Sequence, residues 1–369
     1  MSAGALRSRA PRWPWALYAL LALAVLLWAA PRTSLYKRSL LPEMVAGTAW
    51  RPYVKRVLVP LVVRGADALL PAGARAGLGE LVSGRPSLAA RLGWQSAHAS
   101  WYALVFLLHG LSLFLFALAF RRLAARTLGL DPVRASLAAA GALALVPIHF
   151  GYQNYLYDFP GLALFTLGLV LVAERRWGLF YLLWPVGLLN KETFVLLTPV
   201  FVLSARARMP WRRLLVHAGA QLATAVGLWL ALGWVFRGNP GAPVEWHLLR
   251  NLTHAPLPRQ LLHDAVYWGA WVCGLLSWHR QRALAAQALA VGGVLVGTTL
   301  FLGFLGEYRD FYEVWPLLAL LLAATALRLP AGRPPAAVAP EDRQAPPTRP
   351  AASPAPKRAT PVAPRRNRA

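Results

Sequence analysis

The sequence predicts an all-α fold, a polytopic transmembrane helix bundle of about ten spans, several of them short, with interfacial amphipathic helices after the first span. Three observations carry this reading. Apolar runs of near-membrane length recur from Trp13 to Leu329. Hydrophobic residues form 57% of the 369 positions and charged residues only 14%, where a soluble domain carries roughly a quarter charged. The arginines sit in short clusters between the apolar runs and at the two ends, the distribution of topology determinants. A bilayer core offers no hydrogen-bond partner to an open backbone, so such runs are helices.

The elements follow in chain order. Residues 1–12 are a basic N-terminus carrying Arg7, Arg9 and Arg12, expected on the cytoplasmic side. The apolar run 13–30 exceeds the roughly 7–15 residues of a signal core, and Pro31 stands where cleavage after "WAA" would fall. It reads as an uncleaved first span. Residues 31–97 form an outer loop, in which "VKRVLVPLVVRGADALLP" interleaves apolar clusters with Arg56, Arg64 and Asp67. That pattern predicts one or two amphipathic helices lying in the interface, continued by 72–93. Further spans are expected at 98–120, 134–150, 160–173, 178–190, 193–205, 214–236, 264–278, 284–305 and 311–328. Those at 160–173, 178–190 and 193–205 fall short of the roughly 20 residues of a simple span and read as tilted, buried or re-entrant helices. Residues 13–330 thus form one transmembrane domain. The tail 331–369, rich in Pro, Ala and Arg, lacks the apolar residues to fold and reads as a disordered basic cytoplasmic tail.

Charge selects an orientation. With the N-terminus inside, the cytoplasmic loops are "RRLAARTLGLDPVR", "ERRW", "SARARMPWRR" and "HRQR", all rich in arginine. The short loops on the other face, "GYQNYLYDF", "NKE" and "GEYRD", carry far fewer basic residues. Both termini are then cytoplasmic, in a multi-pass protein of a bacterial inner membrane. The formal net charge of +25 belongs to these loops and the tail, so nucleic acid is not the expected partner; membrane lipid is.

Several chemistries have no support. The single Cys273 permits neither an intramolecular disulfide nor a cysteine metal site. No HExxH occurs, and His247, His254 and His263 in one outer stretch are weak grounds for a metal. No phosphate-binding G-x-x-x-x-G-K-[ST] is present, and no cofactor is expected. Asn251-Leu252-Thr253 fits a glycosylation acceptor, relevant only in a eukaryotic secretory pathway.

Ionisable residues at membrane depth are costly and mark functional or paired structural sites. Here they fall on one face: Asp158 in "YLYDFPG", Asn190, Lys191 and Glu192 in "LLNKETF", Glu307, Arg309, Asp310 and Glu313 in "GEYRDFYE", and Arg51, Lys55 and Arg56 in "WRPYVKRVLVP". Together they predict the rim of an outward-facing polar cavity. Arg309 and Glu313, four apart, are expected on one helix face, with Glu307 and Asp310 on another. Each group also has a plainer reading. Asp158 would cap the next helix, "NKE" would be a polar turn, the tyrosines would be interface-belt residues, and "RPYVKR" would be a basic surface helix drawn to lipid phosphates.

The layout of one span, a long outer loop with interface helices, then many spans joined by short outer turns resembles the membrane glycosyltransferases of the GT-C superfamily. "YLYDFPGLALFTLGL", "LLNKETF" and "GEYRDFYEVWPLL" also look like motifs of bacterial polytopic membrane proteins. The resemblance spans roughly residues 10–330 and implies a polyprenyl-phosphate-linked sugar donor presented at the outer face. In that superfamily an acid of the first outer loop, often in a paired-acid motif, is the base. This loop has no Asp-x-Asp; its acids are Glu43, Asp67 and Glu80, and Glu43 comes nearest the exit of the first span. The resemblance therefore implies Asp158, Glu43 or Glu313 as base, and Arg51, Arg56, Lys191 and Arg309 as phosphate ligands. Asn190, Glu192, Glu307 and Asp310 would support them. Two other classes compete: a transporter or flippase of a lipid-linked or small solute, and a non-catalytic assembly subunit whose rim charges are structural pairs.

Overall fold

The computed structural model describes residues 13–151, 153–253 and 258–329. The basic N-terminus, the tail expectation and His254 lie outside them. The fifteen α-helices are α1 (Trp13–Ala29), α2 (Leu41–Ala46), α3 (Leu58–Leu69), α4 (Ala72–Ser83), α5 (Pro86–Leu92), α6 (Ala99–Leu128), α7 (Pro132–Ala144), α8 (Asp158–Ala173), α9 (Trp177–Asn190), α10 (Leu197–Ala205), α11 (Trp211–Val235), α12 (Leu248–Thr253), α13 (Pro258–Leu275), α14 (Arg282–Leu302) and α15 (Trp315–Ala326). Among the described residues there is no β-strand, only one isolated bridge between Thr33 and Asn154.

Five helical stretches are long and apolar enough to cross a membrane: Trp13–Arg32, Ser96–Leu128, Pro132–His149, Trp211–Val235 and Arg282–Leu302. This is a multi-pass membrane protein. Local chemistry sets the ends of these stretches. α6 runs 30 residues and stops at Gly129, whose φ of +66° suits a residue without a Cβ. Asp131 then caps α7, its carboxylate accepting from the amides of Val133 and Arg134, with Pro132 in the first position where no N–H is needed.

The short apolar helices α8, α9, α10 and α15 carry the architecture. α8 and α15 bury residues all round, which makes them central rather than lipid-facing. α8 packs on α6, and α15 on α13, α14 and α7. Small residues of α7 (Ala135, Ser136, Ala139) let backbones approach, and Tyr18 Oη donates to the Ser136 carbonyl at 3.2 Å. Trp315 Nε1 donates to the Ala142 carbonyl at 3.1 Å, fixing α15 to α7. α11 is the opposite case, burying only Leu214 and Gln221 over 25 residues.

At 16 residues, α8 is about 24 Å long, less than the roughly 30 Å hydrocarbon thickness. α9 ends at Asn190, a 3₁₀ turn follows at Glu192–Leu196, and a second 3₁₀ turn at Tyr308–Phe311 precedes α15. Helix ends therefore meet inside the bundle, and their unpaired backbone groups call for polar neighbours. The expected 160–173, 178–190 and 193–205 helices are all present, each too short to cross alone. The helices expected within 31–97 are present too. α3 buries Val59, Pro60 and Val63 while Leu61 and Val62 are exposed; α4 and α5 are largely exposed.

Candidate functional site

The segment after α1 straps down the approach to α8. Ser34 N donates to the Asn154 carbonyl (2.7 Å), Asn154 N to the Arg32 carbonyl (2.9 Å), and Leu156 N to Ser34 Oγ (3.1 Å). This holds Asp158 at the first position of α8, buried to 1% exposure. Its Oδ2 accepts from the Tyr155 amide at 2.8 Å, so it closes its own turn rather than capping the helix as the plainer sequence reading expects; the flanking position is Tyr157. Its Oδ1 is buried without a hydrogen-bond partner. Asn190 Nδ2, at the end of α9, donates to the Tyr157 carbonyl at 3.0 Å, and its Oδ1 is likewise unpartnered.

The next residue, Lys191, pairs with Glu313 at 3.0 Å, with side chains 5% and 4% exposed. Thr193 Oγ1 donates to the same Glu313 Oε1, while Oε2 has no partner. Glu192 forms a two-pronged pair with Arg56, at 2.6 Å (Nη2–Oε1) and 3.1 Å (Nε–Oε2). Arg56 also donates to Tyr157 Oη and lies over that ring. Arg309 pairs with Glu307, approaches Asp310 at 3.4 Å, and lies 3.9 Å from the Tyr155 ring centroid. Tyr53, Tyr155 and Tyr157 stack in sequence, with centroids 5.6 and 5.4 Å apart. Tyr312 Oη donates to Asn154 Oδ1 at 3.0 Å. Asp158 lies within electrostatic reach of Arg309, Lys191 and Asp310, which makes these pairs one cluster.

The cluster unites Asp158, Asn190, Lys191, Glu192, Glu307, Arg309, Asp310, Glu313 and Arg56. Two expected members stand apart. Arg51 Nη2 donates to the Gly241 carbonyl at 2.6 Å, serving the connection after α11. Glu43 is half-buried on α2, and among the described residues its carboxylate has no hydrogen bond or ion pair. The expected Arg309–Glu313 face does not form. The 3₁₀ turn at 308–311 breaks the i,i+4 geometry, so Arg309 turns to Glu307 and Asp310 while Glu313 reaches Lys191. Tyr155 and Tyr157 are not belt residues but are fully buried. Asn251 is no glycosylation acceptor: at 9% exposure, its side chain binds the carbonyls of Thr299, Leu300 and Gly303 at the end of α14. His263 lies on α13, and among the described residues no group of His, Cys, Asp or Glu is placed to hold a metal.

Lys55 belongs to the "WRPYVKRVLVP" segment expected at the cavity rim. The structure buries it to 6% exposure, with its ammonium 4.2 Å from the Trp229 ring centroid. Among the described residues no carboxylate lies within ion-pair distance of it, unlike Arg56, Lys191 and Arg309. It lines a cavity of about 340 Å³ together with Pro52, Glu192 and Thr193. The walls are apolar: Leu188 of α9, Val195 and Leu196 of the 3₁₀ turn, Leu222, Val226 and Leu232 of α11, and Val294 of α14. Leu222, Val226 and Trp229 are also exposed, so this side of the cavity is formed by surface residues of α11. A largely apolar cavity of this size with a few polar lining groups, here Lys55, Glu192, Thr193 and Thr298, is a ligand-site geometry. No protein-family model, no curated protein and no solved structure matches this chain.

Proposed function

We propose that this protein is a membrane-embedded transferase of the GT-C type that takes a polyprenyl-phosphate-linked sugar donor at the outer membrane face. The observation behind this is the largely apolar cavity lined by Lys55, Glu192 and Thr193 and by exposed residues of α11, linked through Thr193 to the buried Lys191–Glu313 pair. A long hydrocarbon chain matches the walls, and Lys55, a buried cation with no carboxylate within ion-pair distance among the described residues, stands where its phosphate would arrive. In the transfer, the acceptor oxygen bonds to the anomeric carbon and the bond from that carbon to the phosphate oxygen breaks. The electron pair leaves with the polyprenyl phosphate, whose charge Lys55 and Arg56 offset. The acceptor proton goes to a carboxylate with an open oxygen. Glu313, with Oε2 unpartnered, is the first candidate, because Thr193 both lines the cavity and binds its Oε1; Asp158 Oδ1 is the second.

The test is saturable binding of a polyprenyl phosphate to the detergent-purified protein. Lys55→Ala should weaken it by roughly tenfold, the usual worth of one charge-assisted contact. Binding unaffected by Lys55→Ala would remove the phosphate from this site.

One observation favours a second reading, a non-catalytic assembly subunit. Arg56, Lys191 and Arg309 are each neutralised within the chain, and an incoming anion would have to displace Glu192, Glu313 or Glu307. Under that reading, Lys191→Glu combined with Glu313→Lys keeps full cellular function. Under catalysis the exchange moves the base and abolishes it.

A further inference from the structure

Lys55 and Arg56 leave the end of one 3₁₀ turn, Tyr53–Lys55, and find different partners. Arg56 takes both oxygens of Glu192. Glu192 is the one acid among the residues lining the cavity, so that carboxylate is already committed. Lys55 meets α11 instead, which packs on the turn. Two residues four apart, and so on one helix face, receive its side chain. Trp229 sets its ring centroid 4.2 Å from the ammonium. Gly233 has no side chain, and a Cβ built there would lie 3.7 Å from Nζ and 3.9 Å from Cε. The tip of the lysine therefore lies beside the bare helix surface at 233 as well as against the ring at 229.

A buried ammonium is costly to leave without a partner. A carboxylate meets that cost and cancels the charge, as Glu313 does for Lys191. An aromatic ring works differently. Its quadrupole attracts the cation, yet the ring carries no net charge. Lys55 is thus held in place with its positive charge intact and its N–H donors available to an acceptor. An anion arriving there displaces no carboxylate, whereas at Arg56, Lys191 or Arg309 it would have to displace one. Trp229 also lines the cavity and is 40% exposed, so a plain wall role has to be separated from this one.

We infer that Trp229 is a positioning residue for the anionic head of the ligand: it holds the Lys55 ammonium charged and unneutralised at the cavity, and the missing side chain of Gly233 makes room for it. This rests on the reading of the cavity as a polyprenyl-phosphate site, and adds what keeps that site able to accept an anion.

The test titrates detergent-purified full-length protein with a polyprenyl phosphate and, separately, with the uncharged polyprenol of the same chain length. Wild type is compared with Trp229→Leu, Trp229→Phe, Lys55→Ala and the double variant Trp229→Leu/Lys55→Ala. Trp229→Leu should weaken phosphate binding roughly fivefold, the worth of one partly desolvated cation–π contact. Polyprenol binding should stay within about twofold of wild type, since leucine still offers an apolar wall. Trp229→Phe keeps a ring face and should lose less than Trp229→Leu. In the Lys55→Ala background, Trp229→Leu should cost nothing further, because the ring acts on the phosphate only through the ammonium. Equal losses for the two ligands, a phenylalanine variant no better than the leucine variant, or a Trp229→Leu loss that persists undiminished without Lys55 would each make Trp229 a wall residue and overturn the proposal. A full Lys55→Ala loss beside unchanged binding by Trp229→Leu would also overturn it, and would leave the phosphate site standing. Phosphate binding indifferent to Lys55→Ala removes that site, and with it this role for Trp229.

Discussion

The Lys191–Glu313 pair offers the sharpest test of how the buried cluster is held together. Lys191→Met keeps the length of the aliphatic stem and removes the charge, leaving Glu313 buried with Thr193 as its remaining partner. At the observed 3.0 Å the gross attraction is roughly 5 to 6 kcal/mol for an effective dielectric constant of about 20. Desolvation of both groups offsets much of that, but removing one partner strands the other, which costs about 3–5 kcal/mol. Glu313→Gln should cost a similar amount by stranding Lys191. The double variant Lys191→Met/Glu313→Gln strands no charge and should cost far less than the sum, with a coupling of about 2 kcal/mol or more. Unfolding in mixed micelles titrated with a denaturing detergent measures all four proteins on one scale. Single variants within about 1 kcal/mol of wild type, or costs that simply add, would refute the claim that this pair is a buried, mutually dependent unit.

Other outcomes follow from the same geometry. A Cβ on Gly187 would lie 2.4 Å from the buried Phe194 ring, so Gly187→Ala must displace that ring and the turn carrying Glu192 and Thr193. The expected loss is about 1–3 kcal/mol, read from the same unfolding titration, with weaker filling of the neighbouring cavity. Asn251→Ala strips three carbonyls at the end of α14 and the Leu305 amide of their side-chain partner. It should cost about 1–3 kcal/mol and raise amide exchange in 299–305. Asp131 gives a pH signature. The Arg134 amide and, behind it, the Val133 amide hold its carboxyl below the ordinary carboxylate value. A lowered folded value means its stabilisation is present above the ordinary value and disappears as pH falls through the folded one. Wild type should therefore melt above Asp131→Ala at pH 7, and the two curves should converge in acid; a gap that persists in acid would contradict this.

The helices and the location of the buried charges were legible from the chain alone, because hydropathy is local. A run such as 214–236 is apolar whatever it packs against, and a bilayer forces it into a helix. Charges interrupting such runs had to cluster, since isolated ions at membrane depth are costly; Asp158, Lys191, Glu192, Arg309 and Glu313 do come together. Partners were not legible, because they depend on how the helix ends meet. Four-residue spacing favoured Arg309 with Glu313, yet a 3₁₀ turn redirected Arg309 to Glu307 and Asp310 and left Glu313 to a lysine 122 positions earlier, as the ion-pair distances show. Glu43 and Arg51 sat in the right segment and remained outside the cluster. Lys55, equally basic and in the same motif, became the cation at the cavity because α11 passes beside it and lays Trp229 against its ammonium. Sequence alone determined that this protein is a helical membrane bundle with charges gathered at one level. Only the tertiary structure decided which charges neutralise each other and which one is left facing a cavity, because pairing is set by distances between segments far apart in the chain.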